Sequence, residues 1–231
     1  FEAAFEASKM ALEHMTPVVL LTDAFIANGS AAWKLPVLAD YPAINPPFVP
    51  AELKGTWTPY QRNEEGVRFW AVPGTEGFTH ILGGLEKDNA TGAISTNPEN
   101  HHLMTQLRQQ KIDNIKVPDV VVEGDKDDAE LLIVGFGGTY GHLHAAMDDM
   151  RAAGKKVALA HFKYINPLPK NTEEVLKKYP KVVVAEQNMG QFAGYLRMKI
   201  DGFVPSQYNE VKGQPFVVNE LVAAFTEILN K

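Results

Sequence analysis

The stretch LLIVGFGGTYGHLHAA, residues 131 to 146, passes from four apolar residues through a glycine cluster into a helical pattern. A strand that ends in a glycine-rich turn before a helix presents backbone N–H groups to a phosphate. The amides of Gly137, Gly138 and Thr139 are therefore candidate anion ligands. A dinucleotide fingerprint, G-x-G-x-x-G, needs glycines at 135, 137 and 140, but position 140 is Tyr and the next glycine is Gly141. It also needs an acid after the second strand to hold the ribose, and no Asp or Glu lies between Asp149 and Glu173. The spacing thus argues against NAD(P) and for a tight turn that packs a helix closely on its strand. An anion at the helix N-terminus stays open as the other reading.

A second candidate is VVVAEQNMGQFAGYLR, in which Glu186, Gln187, Asn188 and Gln191 follow a buried apolar run. Polar groups at the carboxyl end of a parallel strand fall at the edge where open α/β sheets bind ligands, so these four suggest a ligand or subunit contact. Equally, Asn188 could cap the helix that begins near Met189, with Glu186 answering a nearby Arg or Lys. The paired histidines, His101/His102 and His142/His144, are adjacent or two apart. On a helix such pairs point to different faces and chelate poorly. No Ser/His/Asp order, P-loop or paired-acid motif is present. No residue is assigned as catalytic, cofactor-binding or metal-ligating.

The elements that must position these residues can be read from apolar periodicity. From Leu131 onward the chain alternates: strand LLIV, helix 141–153, strand VALAH, helix TEEVLKKY, strand VVVAE, and a helix carrying Phe192, Leu196 and Ile200. A possible edge strand, Gln207–Val211, precedes a last helix with Val218, Leu221, Phe225 and Leu229. Such alternation predicts a doubly wound parallel sheet with right-handed crossovers. Upstream, residues 97–115 read as a helix with Pro98 in its first turn. The acidic run EGDKDDAE, 123–130, reads as a solvated boundary loop. Residues 34–60 hold six prolines, which exclude regular helix or central strand. Their aromatic residues, Trp57 and Tyr60 among them, favour a connector docked on a surface. The first 25 residues read as one αβ unit, an opening helix and then the buried strand VVLLTDAF. Because the opening helix begins at Phe1, the chain is expected to be part of something longer.

Composition limits the function. The 231 residues are 45% hydrophobic, enough for a full core. Net charge is −6 with Lys and Arg scattered among acids, which gives no footprint for nucleic acid or an anionic membrane. With no cysteine, thiol catalysis and Cys-ligated clusters are excluded from this chain. No apolar run of about 20 residues and no signal-peptide pattern occurs, so a cytoplasmic location is expected.

In order, the TPV-VVLLTDAF unit, the proline-rich connector, the block VPGTEGFTHILGGLEKDNATGAISTNPENHHLM and the terminal α/β segment resemble the α subunit of 2-oxoacid:ferredoxin oxidoreductases. The middle block is similar to the family pattern P-G-x-x-G … G-x-E-H-D-E-x-G-H … D-P-E-N-R-x-x-M. It is matched by Pro73, Gly74, Gly77, Glu86, Asp88, Gly92, Pro98, Glu99, Asn100 and Met104. Lys87 stands for the usual His, Asn89 for a Glu and His101 for an Arg.

The resemblance implies a thiamine diphosphate enzyme that decarboxylates a 2-oxo acid, passes electrons through iron–sulfur clusters to ferredoxin and delivers the acyl group to coenzyme A. It implies 2-oxoglutarate or a broad range of 2-oxo acids first, and pyruvate second. Residues 1–25 would be the truncated end of the pyrimidine-binding domain, 26–128 an extended connector, and 129–231 a domain resembling the transketolase C-terminal domain. Thiamine diphosphate, Mg, clusters and coenzyme A would be held elsewhere in the complex, with a β subunit and a γ subunit or domain as partners. By itself the chain would be an inactive assembly region. A free-standing NAD(P) oxidoreductase domain and a non-enzymatic anion-binding α/β module are the competing readings.

Overall fold

The computed structural model describes residues 1–231 as two compact units, one formed by residues 1–20 and 33–116, the other by 21–32 and 117–231. In chain order the helices of the first part are α1 (Glu2–Glu13), the one-turn α2 (Ala24–Asn28), which belongs to the second unit, and α3 (Pro98–Asp113). The first unit consists of α1, α3 and irregular chain punctuated by turns. Its proline-rich part forms two single 3-10 turns, Leu38–Asp40 and Ala51–Leu53, and in place of strands only isolated bridges, such as Phe48 with Trp70, because proline removes ladder donors. α3 starts where the sequence sets it. Asn97 Oδ1 accepts from the Asn100 N–H at 2.8 Å, Pro98 occupies the first turn, and Glu99 follows.

The second unit is an α/β sandwich. Its strands are β1 (Val122–Gly124), β2 (Leu131–Phe136), β3 (Val157–Phe162), β4 (Val182–Glu186) and β5 (Ser206–Asn209), in the spatial order β1-β3-β2-β4-β5. Strands β3, β2, β4 and β5 are parallel. The helices are α4 (Tyr140–Ala152), α5 (Thr172–Lys178), α6 (Gln191–Lys199) and α7 (Val218–Asn230). Successive residues of β2 point to opposite faces. Leu132 and Val134 pack with Leu176, Phe192 and Leu196 of α5 and α6. Leu131 and Ile133 pack with Leu143, Met147 and Met150 of α4 and with Leu221 and Phe225 of α7. Both faces are covered, which makes the sheet doubly wound and explains the unbroken apolar run of β2.

Two local expectations differ from the structure. The acidic run is more than a solvated loop. It begins in β1, an edge strand that pairs antiparallel with β3, Val122 opposite Ala160, so the sheet is mixed at that edge. Asp125 binds Arg151 through two 3.1 Å contacts and accepts from the Val157 amide, and Lys156 reaches Asp128 at 2.6 Å. Gly124 is required there, because at φ 83° an added Cβ would lie 2.7 Å from both Met147 Sδ and the Val157 carbonyl. The run VVLLTDAF forms no strand. A strand needs a neighbour to take its backbone hydrogen bonds, and no strand of this chain pairs with it. Val19, Leu20 and Leu21 are exposed, and Asp23 instead caps α2 by accepting from the Ile26 amide at 2.9 Å.

Candidate functional site

From β2 the chain crosses through α4 to β3 on one side, whereas from β4 it crosses through α6 to β5 on the other. The carboxyl ends of β2 and β4 therefore flank the point where the winding reverses, the usual ligand crevice of such sheets. Gly137, Gly138 and Thr139 follow β2, and Glu186, Gln187, Asn188 and Gln191 end or follow β4. The fold thus gathers both sets of candidates at one edge of the sheet.

At this edge the chain satisfies its own donors. Glu186 is fully buried, and its two carboxylate oxygens accept from the amides of Phe192 at 2.7 Å and Ala193 at 2.9 Å. Asn188 Oδ1 accepts from the amides of Gly190 at 2.8 Å and Gln191 at 3.0 Å. The first-turn donors of α6, which would otherwise greet an anion, are answered by side chains two to seven residues upstream. The N-cap of α6 is Gly190, so Asn188 closes the turn into the helix instead of capping one that begins near Met189, and Glu186 answers amides instead of a nearby Arg or Lys. Gln187 donates to the Gln214 carbonyl at 2.8 Å, and the Gln191 side chain is exposed. Phe136 and Phe192 meet with ring centroids 5.0 Å apart, so aromatic carbon fills this end of the sheet.

The glycine turn after β2 is tight. Gly137 has φ 64°, and Thr139 Oγ1 donates to the Phe136 carbonyl at 2.8 Å. An added Cβ at Gly135 would overlap Leu143 Cδ1 and come within 2.9 Å of Thr139 Oγ1, so that glycine is there for close packing of α4 on β2. At Gly138 an added Cβ would overlap the Asp23 carboxylate. A carboxylate of the chain itself therefore lies against the turn.

Two residues at this edge escaped sequence reading, Asp23 and His161. His161, near the end of β3, lies 3.4 Å from Thr139 Oγ1 through Nε2, with the Tyr140 ring edge-on at 5.1 Å. Burial pushes its pKa down to about 4, against a smaller opposing effect of a hydrogen bond with the Phe136 backbone, so the ring is neutral at pH 7. An isolated histidine after an apolar run carries no sequence signal. Of the paired histidines, His144 sits between Glu123 at 3.2 Å and Asp148 at 3.3 Å, and His142 meets the Phe25 ring. His101 contacts Glu86 at 2.9 Å.

The middle block assembles within the first unit. Asp88 Oδ1 accepts from Ala90 and Thr91, closing the turn that leads to Gly92. Asn100 Oδ1 accepts from the Asn89 amide at 2.9 Å, and Asn100 Nδ2 donates to the Lys87 carbonyl at 3.0 Å, which ties the loop to α3. Met104 is buried and meets Arg62.

Residues 129–219 match the family model described as pyruvate:ferredoxin oxidoreductase core domain II. Over 223 residues, 96% of this chain, the sequence is 47% identical to 2-oxoglutarate oxidoreductase subunit KorA of Mycobacterium tuberculosis, of which the match covers 34%. Over nearly its whole length the chain is similar to α subunits of 2-oxoacid:ferredoxin oxidoreductases. Subunit alpha of 2-oxoacid:ferredoxin oxidoreductase 2 from Aeropyrum pernix is 28% identical over 99% of the chain and 36% of its own length. The solved 2-oxoglutarate:ferredoxin oxidoreductase of Magnetococcus marinus, with 2-oxoglutarate, coenzyme A and succinyl-CoA bound, aligns with TM-score 0.77 and 30% identity. That alignment covers 84% of this chain and 34% of that one. The chain spans about a third of the length of the α-subunit relatives it matches.

Proposed function

We propose that this chain is the assembly portion of the α subunit of a 2-oxoacid:ferredoxin oxidoreductase, with 2-oxoglutarate as the first substrate and pyruvate the second. The reaction is oxidative decarboxylation of the 2-oxo acid to an acyl-CoA, with ferredoxin reduced. The observation that carries this reading is the 47% identity, sustained over 96% of the chain, with a 2-oxoglutarate oxidoreductase subunit. In this proposal residues 1–25 end the thiamine diphosphate pyrimidine-binding domain, 26–128 connect, and 129–231 form a transketolase C-terminal-like domain. The partners are a β subunit and a γ subunit or domain, in the cytoplasm.

The chain does not fit an iron–sulfur cluster, and the carboxyl edge of its sheet offers no free carboxylate to a metal. Iron–sulfur clusters are held by cysteine thiolates, and the chain has none. At the carboxyl edge of the sheet the Glu186 carboxylate is spent on two amides and Asp23 packs against Gly138. No catalytic step is assigned to residues of this chain.

The test is to express the α subunit that carries this chain with its β subunit and follow reduction of ferredoxin by 2-oxoglutarate or pyruvate, with and without coenzyme A. Coenzyme A-dependent reduction, fastest with 2-oxoglutarate, is expected. Absence of reduction with every 2-oxo acid, or full turnover by the α subunit alone, refutes the proposal.

A further inference from the structure

The first unit contains a cavity of about 300 Å³ whose lining holds Arg62, Arg68, Lys87, Arg108 and Lys111 against one acid, Glu86. Glu86 is already engaged by His101 and Arg108 at the rim. The other four cations have no carboxylate partner. Lys87 is 4% exposed, and its ammonium donates to the carbonyls of Gly83 and Leu85 at 2.5 and 2.6 Å. Lys111 donates to the Met15 carbonyl at 2.8 Å, and Arg68 to the Pro59 carbonyl at 3.2 Å. Arg62 is held by the Tyr60 carbonyl, the neutral Asn89 side chain and Met104 sulfur. Both guanidiniums flank the Tyr60 ring, Arg68 at 4.8 Å and Arg62 at 5.8 Å.

Carbonyl dipoles orient these groups but do not cancel their charge, and cations withdrawn from water without a counter-charge are costly. The cost shows in the acidities of Arg62 and Lys111. Burial first, and then the neighbouring Arg68 and Arg108, hold Arg62 below its usual value, and burial with Arg68 and Arg62 does the same to Lys111. The backbone beside them is also constrained. Met15, whose carbonyl receives Lys111, is the chain's non-glycine residue with positive φ, at 44°. Such conformations persist where the surroundings impose them, and they gather at ligand sites.

We propose that this cavity is a binding site for a phosphate-bearing ligand, with a diphosphate group as the chemistry it recognises. Four unpaired positive charges exceed what one carboxylate can balance, whereas a diphosphate brings about three negative charges and oxygens on every side. Guanidinium forks and ammonium groups from separate segments suit that geometry. The volume lies at the lower end of the roughly 300–1,000 Å³ of small-molecule sites, enough for the charged head of a larger ligand. This inference rests on the first unit alone and does not depend on the family's reaction.

Calorimetric titration of the chain with inorganic pyrophosphate, phosphate and malonate at fixed ionic strength tests it. Saturable one-to-one binding is expected, with pyrophosphate about tenfold tighter than phosphate or malonate. Arg68→Gln and Lys111→Gln should each weaken pyrophosphate at least about tenfold. Asn89→Glu keeps every cation but sets a carboxylate against Arg62, and should weaken it likewise. Arg151→Gln, whose cation is paired with Asp125 in the other unit, should leave binding unchanged. Failure of pyrophosphate to saturate, unchanged affinity in Asn89→Glu, or tighter binding of malonate overturns the proposal. Circular dichroism establishes that each variant is folded, and Asn89→Glu decides the outcome if a cation variant is not.

Discussion

Replacing Glu186 tests whether the carboxyl edge of the sheet is a structural cap or a working acid. In the native chain the fully buried carboxylate takes two amide hydrogen bonds, 2.7 and 2.9 Å long, from the first turn of α6. Hydrogen bonds to a charged group contribute about 1.5–3 kcal/mol each. Glu186→Ala removes both acceptors, leaves two buried donors unpaired and opens a cavity, at a cost of about 3–5 kcal/mol. Glu186→Gln keeps the shape and one acceptor but turns its amide nitrogen toward the second donor, at a cost of about 2 kcal/mol. Urea unfolding followed by far-ultraviolet circular dichroism reads both. With m of about 2 kcal/mol/M, the midpoint should fall by about 2 M for Ala and about 1 M for Gln, at constant m. Hydrogen exchange at the Phe192 and Ala193 amides should accelerate in both variants. A loss below about 1 kcal/mol for Ala, or equal losses for the two, refutes the capping account. So does loss of 2-oxo acid turnover in the assembled enzyme with stability unchanged, because that would make Glu186 an acid used in chemistry.

Three further outcomes follow from packing and burial. Gly135→Ala should destabilise the second unit by about 1–3 kcal/mol in urea, since its methyl meets Leu143 and Thr139, and a neutral result would show that α4 is not fixed by that contact. Gly138→Ala should cost stability in the native background and less when Asp23→Ala is also present, because the overlap is with the Asp23 carboxylate; strict additivity in the double-mutant cycle would refute the contact. His161 has a folded pKa of about 4, below its unfolded value near 6.5, so the unfolded chain binds the extra proton between those pH values. Stability should therefore be complete above pH 6.5 and fall toward pH 4, by on the order of 2 kcal/mol from this residue, with His161→Asn flattening the profile. Proton NMR of the imidazole should give a midpoint near 4, and one near 6.5 would contradict its burial.

The sequence by itself determined the alternating elements of the second unit. Leu131–Val134, Val157–Ala160 and Val182–Ala185 are apolar runs that alternate with helical patterns, as strands buried on both faces do, and each intervening helix announces its inward residues by spacing. It also determined the α3 start, because Asn97 and Pro98 act on amides within one turn. These signals are local, so they are legible one segment at a time. Tertiary structure alone decided what the candidate residues face. The Glu186 carboxylate turns to amides rather than to a cation because α6 folds back over the end of β4. Asp23 meets Gly138 across a long stretch of chain, and β1 is a strand only because β3 offers it an edge. The four unpaired cations of the first unit sit among acids when read along the chain, and average to an unremarkable charge. Only folding separates them from those acids and brings Arg62, Arg68, Lys87 and Lys111 around one cavity, since charge acts through distance in space and not through order in sequence.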